Sequence, residues 1–279
     1  MPVRKGSRLL SKSTIAIVGG TGRMGRILVK MLQPSGAKIS VCSRNPARAS
    51  ILIRKLGVQV RSQYDVEDAN IVVASMPIEK TTKECKRLLK RMKPRSLLVD
   101  VASVKTGIVD RILPHVTENV EYLSLHPLFG PDTDSFKGEN ILAIDLRSGA
   151  LARSLLNFLV RIGLQVTHVN VDEHDRKTAI TQALHHFAYA ALASSLTESM
   201  KKNEIQKFST RALRKTIELI QSISQNAGTI LEIQSSNPYS TTAIKSYRKT
   251  VSRLARRNGE QKTTFAAMFA LSRMKLSDA

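Results

Sequence analysis

Three glycines near the start of the chain have the spacing G-x-G-x-x-G. They directly follow an apolar run at 14–19 that is typical of a strand buried on both faces, and they open a segment with helical periodicity. There the first glycine permits a tight turn, the second lets a pyrophosphate approach the backbone, and the third allows the helix to pack closely on the strand, while the helix N-terminus attracts phosphate. We therefore predict a dinucleotide site, and the alternative is a glycine turn without a ligand. The predicted cofactor-binding residues here are Gly20, Thr21, Gly22, Arg23, Met24 and Gly25, with Met76 and Pro77 after a later strand.

The end of the second predicted strand indicates which dinucleotide is bound. An NAD enzyme usually presents an acidic residue there to the ribose hydroxyls, whereas this chain has Ser43 and Arg44, with Arg48 one turn later. A guanidinium can pair with a 2′-phosphate and lie against the adenine. We therefore predict that Ser43 and Arg44 bind the cofactor and that NADP is preferred, with NAD as the alternative. Arg44 could also be one of many surface arginines in a basic protein.

Ser103 and His126 follow two further predicted strands, in the segments DVASVK (100–105) and LHPLFGP (125–131). Ligands of open parallel sheets bind outside the carboxyl ends of the strands, so both side chains are expected to face a nicotinamide. A histidine is a suitable general base, because its reference pKa of about 6.5 leaves it largely neutral at pH 7. We predict that His126 and Ser103 are catalytic, and that Asp100 and Lys105 only fix the loop. A lone histidine in a turn is otherwise more often structural.

A polar stripe marks the first long helical segment of the C-terminal half. His174, Thr178, Gln182 and His186 are four residues apart, which places them along one face of an α-helix that is otherwise rich in alanine and leucine. Buried polar groups need partners, so the stripe indicates a site. The alternative is that the histidines are satisfied core or interface residues. No suitably placed thiol or carboxylate completes a zinc site, and we expect no metal.

Alternating strands and helices must position these residues. The predicted strands are 14–19, 38–43, 58–60, 69–75, 96–101, 120–125, 140–144 and 165–169, with helices between most of them and a loop at 126–138. This alternation predicts an α/β fold of the Rossmann type, with a doubly wound, mostly parallel sheet. From residue 172 only helical periodicity remains, at about 172–203, 207–234 and 240–277, which predicts an all-helical C-terminal dimerisation domain. The predicted divisions are a disordered basic tail (1–12), a dinucleotide-binding domain (13–170) and a helical domain (171–279).

Composition narrows the class of protein. The 279 residues carry a formal net charge of +22, but only 4% are aromatic, so stacking platforms for nucleic acid bases are poorly supplied. No apolar run approaches the roughly 18 residues of a membrane span, and the N-terminal apolar stretch is too short for a secretory signal. Two cysteines without metal-type spacing argue against a disulfide scaffold and fit a reducing cytoplasm. We expect neither a membrane nor a specific nucleic acid as partner.

The glycine motif, the two strand-end segments, and His174-Asp175 with His186 together resemble the prephenate and arogenate dehydrogenase family, particularly its short archaeal-type members. The resemblance spans about residues 14–200. It implies the oxidative decarboxylation of prephenate to 4-hydroxyphenylpyruvate, or of arogenate to tyrosine. His126 would take the proton of the ring 4-hydroxyl while hydride leaves the same carbon for the nicotinamide, and Ser103 would hold that hydroxyl in line.

The chain departs from the family pattern in two places. Many members have Ser-His-Leu-Pro-His where this chain has QALHH at 182–186, so only His186 matches. The arginine of a later Phe-Arg-Asp-x-Thr-Arg motif, which binds the substrate carboxylate, is not recognisable. Lys245 and Arg248 are candidates by region only. The predicted substrate-binding residues are therefore His174, Gln182, His186, Lys245 and Arg248.

Together with the residues at the end of the second strand and the cysteine content, the resemblance leads us to predict an NADP-preferring prephenate dehydrogenase of the cytoplasm, whose C-terminal helices form a homodimer and close the cleft. Arogenate dehydrogenase is the alternative within the same class of enzyme. A non-catalytic protein that binds a dinucleotide, or a nucleic acid through its positive charge, is the alternative from another class.

Overall fold

A computed structural model of the chain describes residues 5–255 and Arg273. The described residues form two compact units, which are divided in the sequence between His174 and Asp175. The sequence pattern places the division at 170, where strand periodicity ends.

The first unit is built on an eight-stranded sheet with the order β3-β2-β1-β4-β5-β6-β7-β8. All neighbouring strands are parallel except β6 and β7, which are antiparallel. The predicted α/β, mostly parallel fold is therefore confirmed. The strands are β1 (Thr14–Val18), β2 (Lys38–Ser43), β3 (Gln59–Ser62), β4 (Ile71–Ala74), β5 (Ser96–Asp100), β6 (Val120–Pro127), β7 (Asn140–Arg147) and β8 (Gln165–His168).

Helices cover the two faces of this sheet, as the apolar character of its central strands requires. Every residue of β4 and β5 is buried, because parallel strands with helices on both faces have no solvent side. The helices are α1 (Lys5–Ser11), α2 (Arg23–Leu32), α3 (Pro46–Ile53), α4 (Ile78–Leu89), α5 (Val109–Ile112) and α6 (Ala150–Arg161), with short 3₁₀ helices at Gln33–Ser35, Arg54–Leu56 and Leu113–His115.

Helix α1 corrects the prediction of a disordered N-terminal tail. Leu10 is 1% exposed and belongs to the hydrophobic core. Burial of a leucine side chain contributes about 1.5–3 kcal/mol, which helps to hold a short basic segment on the domain. The prediction was wrong because it considered the four positive charges at residues 4–12 and not the leucine pair among them.

The strand order creates a switch point between β1 and β4, where the connections leave in opposite directions. The carboxyl ends of β1, β4, β5 and β6 lie along one edge of the sheet, and a crevice at such a point is where open α/β sheets bind ligands. At about 4.8 Å per strand, β6 lies about 14 Å from β1 along this edge.

Helix α6 is capped by a carboxylate of the sheet. The side chain of Glu121 on β6 accepts hydrogen bonds from the backbone N–H groups of Gly149, Leu151 and Ala152, at 3.0, 3.1 and 2.8 Å. A carboxylate at a helix N-terminus satisfies unpaired donors and interacts favourably with the helix dipole. This contact anchors α6 to the start of β6.

The second unit is helical, as predicted. The π-helix Ala179–Leu184 continues directly from α7, the helix in which the division between the units falls. The helices are α7 (Val171–Thr178), α8 (His185–Ser199), α9 (Lys202–Phe208), α10 (Arg211–Ser224), α11 (Ala227–Ser236) and α12 (Ser240–Ala255). The predicted continuation of the last helix to 277 lies outside the described residues. None of the described helices is long and apolar enough to cross a membrane.

Candidate active site

The glycine turn after β1 contains four glycines with different constraints. Gly19, one residue before the predicted motif, has φ +82°, and a Cβ there would collide with the carbonyl oxygen of Ser75. A Cβ on Gly25 would lie 2.5 Å from Gly19 O and from Gly20 Cα. The third glycine of the motif is therefore required for close packing, as predicted. The left-handed residue of the turn is Gly19, whereas the sequence pattern assigned the tight turn to Gly20.

The turn leads directly into α2, whose N-terminus is open to a ligand. Gly22 is the N-cap, so no side chain caps the helix, and the first turn contains no acidic residue. The N–H groups of such a first turn have no partner within the helix. A Cβ on Gly22 would meet only Gly19 O, at 3.3 Å, so this position is open towards solvent. These features fit a pyrophosphate, which would receive hydrogen bonds from Arg23, Met24 and Gly25 N–H groups.

The other predicted cofactor residues flank this turn. Met76 lies 3.7 Å from the position of a Cβ on Gly19, and Pro77 is the exposed N-cap of α4. The guanidinium of Arg23 forms an ion pair with Asp132 at 3.0 Å. Both side chains of that pair are partly exposed, so the pair contributes at most about 1 kcal/mol.

Arg44 lies at the end of β2 and is exposed. The following residue, Asn45, caps α3 by accepting a hydrogen bond from Arg48 N at 3.0 Å. Ser43 Oγ in turn accepts a hydrogen bond from Asn45 N at 3.2 Å. The backbone around Arg44 is therefore fixed while its side chain extends into solvent, an arrangement that suits recognition of a phosphate.

His126 is part of β6 and not of the predicted loop, which begins only after Pro127. The register pairs Asp100 with Ser124, so His126 lies two residues beyond the end of β5, level with the loop that carries Ser103. Ser103 is half-buried in that loop. The structure thus brings the two predicted catalytic residues to neighbouring strand ends of one edge.

The ring of His126 contacts a second histidine of the same unit. Its Nδ1 atom lies 2.8 Å from Nε2 of His174, and the two side chains are 2% and 0% exposed. Burial lowers the pKa of His126 well below its ordinary value, and the nearby His174 and Lys105 lower it further. His126 is therefore a neutral imidazole, which can accept a proton. His174, which was predicted to bind substrate, contacts His126 through its Nε2 atom.

A buried polar network connects the end of β5, the loop that follows it and β6. Asp100 Oδ1 accepts hydrogen bonds from Ala102 N at 3.1 Å and from Lys105 Nζ at 2.9 Å, and Oδ2 accepts one from Tyr122 OH at 2.9 Å. Lys105 Nζ also donates to the carbonyl of Leu125 at 2.8 Å. Lys105 thus joins the loop of Ser103 to the residue directly before His126.

Sequence reasoning found two members of this network and missed the third. Asp100 and Lys105 were predicted to fix the loop, whereas Tyr122 was not singled out. Burial, together with the nearby Asp100, raises the pKa of the Tyr122 hydroxyl, which therefore remains a hydrogen-bond donor. The available signal was a carboxylate at the end of an entirely apolar strand, since such a group requires several buried partners.

The predicted polar stripe on one helix face is interrupted. The π-helix Ala179–Leu184 has i→i+5 hydrogen bonds, so the spacing of 3.6 residues per turn that the stripe assumes does not hold between Thr178 and His186. Gln234 Nε2 donates to the carbonyl of Ala183 at 3.3 Å, and so helps to satisfy a backbone group of the π-helix. A π-helix is uncommon and frequently marks a functional position.

His186 has a feature expected of a binding residue. Its Nδ1 atom is buried and has no hydrogen-bond partner among the described residues. Burial, with His185 adjacent, lowers its pKa, so the ring is neutral and can accept or donate one hydrogen bond. Gln182 is half-buried in the π-helix, whereas Lys245 and Arg248 are exposed on α12. Among the described residues, no three His, Cys, Asp or Glu side chains could together hold a metal ion.

The doubly wound sheet, the open N-terminus of α2 and the neutral histidine at the same edge define a class, that of the NAD(P)-dependent oxidoreductases with a Rossmann-type domain. Comparison with known families gives the particular group. A model of the prephenate dehydrogenase nucleotide-binding domain matches residues 28–142, and a model of the prephenate dehydrogenase dimerization domain matches residues 170–270. The chain belongs to the prephenate and arogenate dehydrogenase family.

Individual relatives differ in the substrates that their names give. A probable arogenate/prephenate dehydrogenase of Methanocaldococcus jannaschii is 29% identical over 233 residues, which are 81% of this chain and 52% of the relative. A 4-amino-4-deoxyprephenate dehydrogenase of Streptomyces pristinaespiralis is 26% identical over 91% of this chain and 88% of the relative. The chain spans about half the length of the first curated relatives that it matches, with 52%, 45% and 42% of each covered.

Solved structures show the same fold. Prephenate dehydrogenase from A. aeolicus, in complex with hydroxyphenyl propionate and NAD+, has a TM-score of 0.79 and 19% identity, and the match covers 95% of this chain and 99% of that chain. The two-part architecture of sheet unit and helical unit is therefore that of a prephenate dehydrogenase.

Proposed function

We propose that this protein is a prephenate dehydrogenase that converts prephenate to 4-hydroxyphenylpyruvate and carbon dioxide with reduction of NADP. The observation that carries the proposal is the neutral, buried His126, placed three strands from the glycine turn along the ligand-binding edge. Such a base is what the oxidation of a ring hydroxyl requires.

The reaction balances with the residues at this edge. A nicotinamide held by the glycine turn would supply the hydride acceptor for ring carbon 4, which bears the hydroxyl group. His126 takes the hydroxyl proton, and Ser103 holds the hydroxyl oxygen in line. The C–C bond to the ring carboxylate then breaks, carbon dioxide leaves, and its electron pair completes the aromatic ring. The oxygen is protonated again to give the phenol.

The preference for NADP rests on Arg44. Its guanidinium is exposed at the end of β2, where a ribose 2′-phosphate would lie, and no acidic residue occupies that strand end. The relative from Schizosaccharomyces pombe that is named a probable prephenate dehydrogenase [NADP(+)] supports this preference within the family. The glycine turn itself is compatible with either NADP or NAD.

Substrate binding is proposed for side chains of the second unit. His186 offers a buried ring nitrogen that still needs a hydrogen-bond partner, and Gln182 lies four residues before it. Lys245 and Arg248 supply positive charge for the carboxylates of prephenate. Arogenate differs only by an amino group in the side chain, and it is the alternative substrate.

We also propose that the second unit mediates a homodimer. A groove of about 770 Å³ in this unit is lined by both polar and apolar residues, and its apolar side chains include Leu196, Met200, Ile205, Ile217 and Ile220. Helices α8, α9 and α10 have no buried residue, and Phe208 is 74% exposed. Exposed apolar patches of this kind mark interaction sites. The match to a dimerization-domain model supports a second copy as the occupant.

The test is an absorbance assay at 340 nm with each combination of substrate and cofactor. The substrates are prephenate, arogenate and 4-amino-4-deoxyprephenate, and the cofactors are NADP and NAD. We expect the highest kcat/KM with prephenate and NADP. A higher value with arogenate would replace the proposed substrate, and the absence of turnover in every combination would overturn the dehydrogenase function.

A further inference from the structure

We propose that His174 is a positioning residue that fixes the tautomer of His126. In this assignment the Nδ1–H group of His126 donates to Nε2 of His174, so that Nε2 of His126 keeps its lone pair for the substrate hydroxyl. The proposal rests on the proposed function, because the tautomer matters only if His126 accepts a proton.

The contact between the two rings permits only two arrangements. A neutral imidazole has one N–H group, so in the 2.8 Å contact one ring donates and the other accepts. If His174 donated, Nδ1 of His126 would accept, and the hydrogen of His126 would lie on Nε2. His126 could then donate to the substrate but could not take its proton. Catalysis by His126 therefore requires that His174 is the acceptor.

The geometry shows that the rings interact through their nitrogens and not through their faces. The ring centroids are 5.0 Å apart and the planes are inclined by 46°, which is neither stacked nor edge-to-face. Both rings are excluded from solvent, so water cannot replace this hydrogen bond without opening the site. A buried hydrogen bond of this type restricts both the orientation and the protonation of its donor.

The position of His174 is itself fixed by the start of α7. Asn170 Oδ1 accepts a hydrogen bond from Glu173 N at 2.8 Å, and Asn170 O accepts one from His174 N at 2.9 Å. Asn170 therefore caps the helix and holds its first turn. The backbone of His174 is therefore fixed, and this holds its imidazole in contact with His126.

A histidine beside His126 has an electrostatic consequence that a carboxylate would not have. Burial lowers the pKa of His126, and the nearby His174 and Lys105 lower it further. Asp100, which neutralises Lys105, is held by Lys105 and Tyr122. A carboxylate in place of His174 would favour the imidazolium form of His126. His174 fixes the direction of the hydrogen bond while leaving His126 unprotonated.

The test uses two substitutions of matched size. His174→Phe keeps a ring but removes the acceptor, whereas Oε1 of Gln in His174→Gln can replace Nε2. We expect kcat to fall about 100-fold or more in His174→Phe and less than about tenfold in His174→Gln. The KM for prephenate and the Kd for NADP should remain within about threefold. His168→Phe, on the exposed β8, is the control for loss of a histidine and should leave kcat unchanged.

A second measurement does not depend on turnover. Long-range ¹H–¹⁵N correlation spectra of the unliganded protein report which nitrogen of His126 carries the hydrogen. We expect Nδ1–H in the wild type and in His174→Gln. A spectrum with Nε2–H on His126 would overturn the proposal, as would a folded His174→Phe variant with unchanged kcat. A raised KM at unchanged kcat would instead show that His174 binds substrate. If the wild type has no dehydrogenase activity, the proposed function fails, and the spectra still decide the tautomer.

Discussion

The Nζ atom of Lys105 lies 2.9 Å from Oδ1 of Asp100, and neither side chain is exposed to solvent. Charges buried in this way are tolerated only if each has several partners, and both do: Asp100 also contacts Tyr122, and Lys105 also contacts the carbonyl of Leu125. The pair thus links the loop after β5 to the strand that carries His126. Loss of this ion pair would therefore both destabilise the domain and displace the residues of the candidate active site.

Substitution of one member of this pair should be costly. Lys105→Met leaves Asp100 buried without its cation, and we expect the free energy of unfolding to fall by about 3–5 kcal/mol. Urea denaturation followed by circular dichroism measures the change. In the double variant Asp100→Asn/Lys105→Met both charges are absent, and more than half of the loss should be recovered. A loss below about 1 kcal/mol in the single variant would contradict this role.

The variant His126→Asn distinguishes the role of His126 as a base from its role as a hydrogen-bond partner of His174. The amide nitrogen of Asn lies where Nδ1 lies in histidine, so the contact to His174 can persist while the Nε2 base is lost. We expect kcat to fall by about 10²–10⁴ with the Kd for NADP nearly unchanged. Steady-state rates at 340 nm and a fluorescence titration of the cofactor give the two quantities. If turnover survives, His126 is structural.

The low pKa of His126 predicts a particular pH dependence. The folded protein holds this pKa well below the ordinary 6.5, so kcat/KM should stay level as the pH falls through 6.5 and decrease only at lower pH. The unfolded chain binds this proton near pH 6.5 and the folded chain does not. The contribution of His126 to stability is therefore present above pH 6.5 and is lost as the pH falls from there towards its folded pKa. Urea titrations of wild type and His126→Asn between pH 7.5 and 5 should diverge accordingly, and parallel curves would refute the shift.

Two glycines of the turn should respond differently to alanine. In Gly25→Ala the new Cβ lies 2.5 Å from backbone atoms of Gly19 and Gly20, and we expect a loss of about 1–3 kcal/mol in stability together with loss of NADP binding. In Gly22→Ala the nearest atom is at 3.3 Å, so the stability should change little while the Kd for NADP rises at least tenfold. Thermal melts and cofactor titrations separate the two effects. Equal losses of stability would contradict the assignment.

Arg44→Asp tests the cofactor preference. The substitution removes the proposed partner of the 2′-phosphate and adds a repulsive charge, so the KM for NADP should rise at least tenfold while that for NAD stays the same or falls. Arg54→Asp makes the same change of charge at an exposed residue beyond the end of α3, and it serves as the control. Equal effects of Arg44→Asp on both cofactors would refute the role in phosphate recognition.

The sheet was predictable because its strands are apolar and its turns contain glycine. The second strand, Lys38–Ser43, has the predicted bounds, and the catalytic edge follows from the order of strands and helices. The arrangement of the site's side chains was not predictable in the same way. His126 and His174 are 48 residues apart, and a single hydrogen bond between two histidines leaves no periodic pattern in a sequence.

The second unit shows a different limit. The assumption of 3.6 residues per turn placed four polar residues on one face, but the π-helix Ala179–Leu184 adds a residue to each turn. Its support comes from Gln234 on another helix, a contact that depends on tertiary packing. Local periodicity therefore identified the helix correctly but gave no sign of the change in its hydrogen-bond pattern at Ala179–Leu184.

Helices α2 and α6 both begin at a glycine, but they differ in where the negative charge at their N-termini comes from. Glu121 supplies it for α6 from within the protein, whereas the first turn of α2 contains no acidic residue. A dinucleotide phosphate would therefore accept hydrogen bonds from the N–H groups at the start of α2, as the Glu121 carboxylate does at the start of α6. The bound cofactor would thus stabilise the fold of the domain. At a hundredfold excess over its Kd, such a ligand stabilises the folded state by about 2.7 kcal/mol. The concentration of cofactor would then set the fraction of protein that is folded as well as the rate of the reaction.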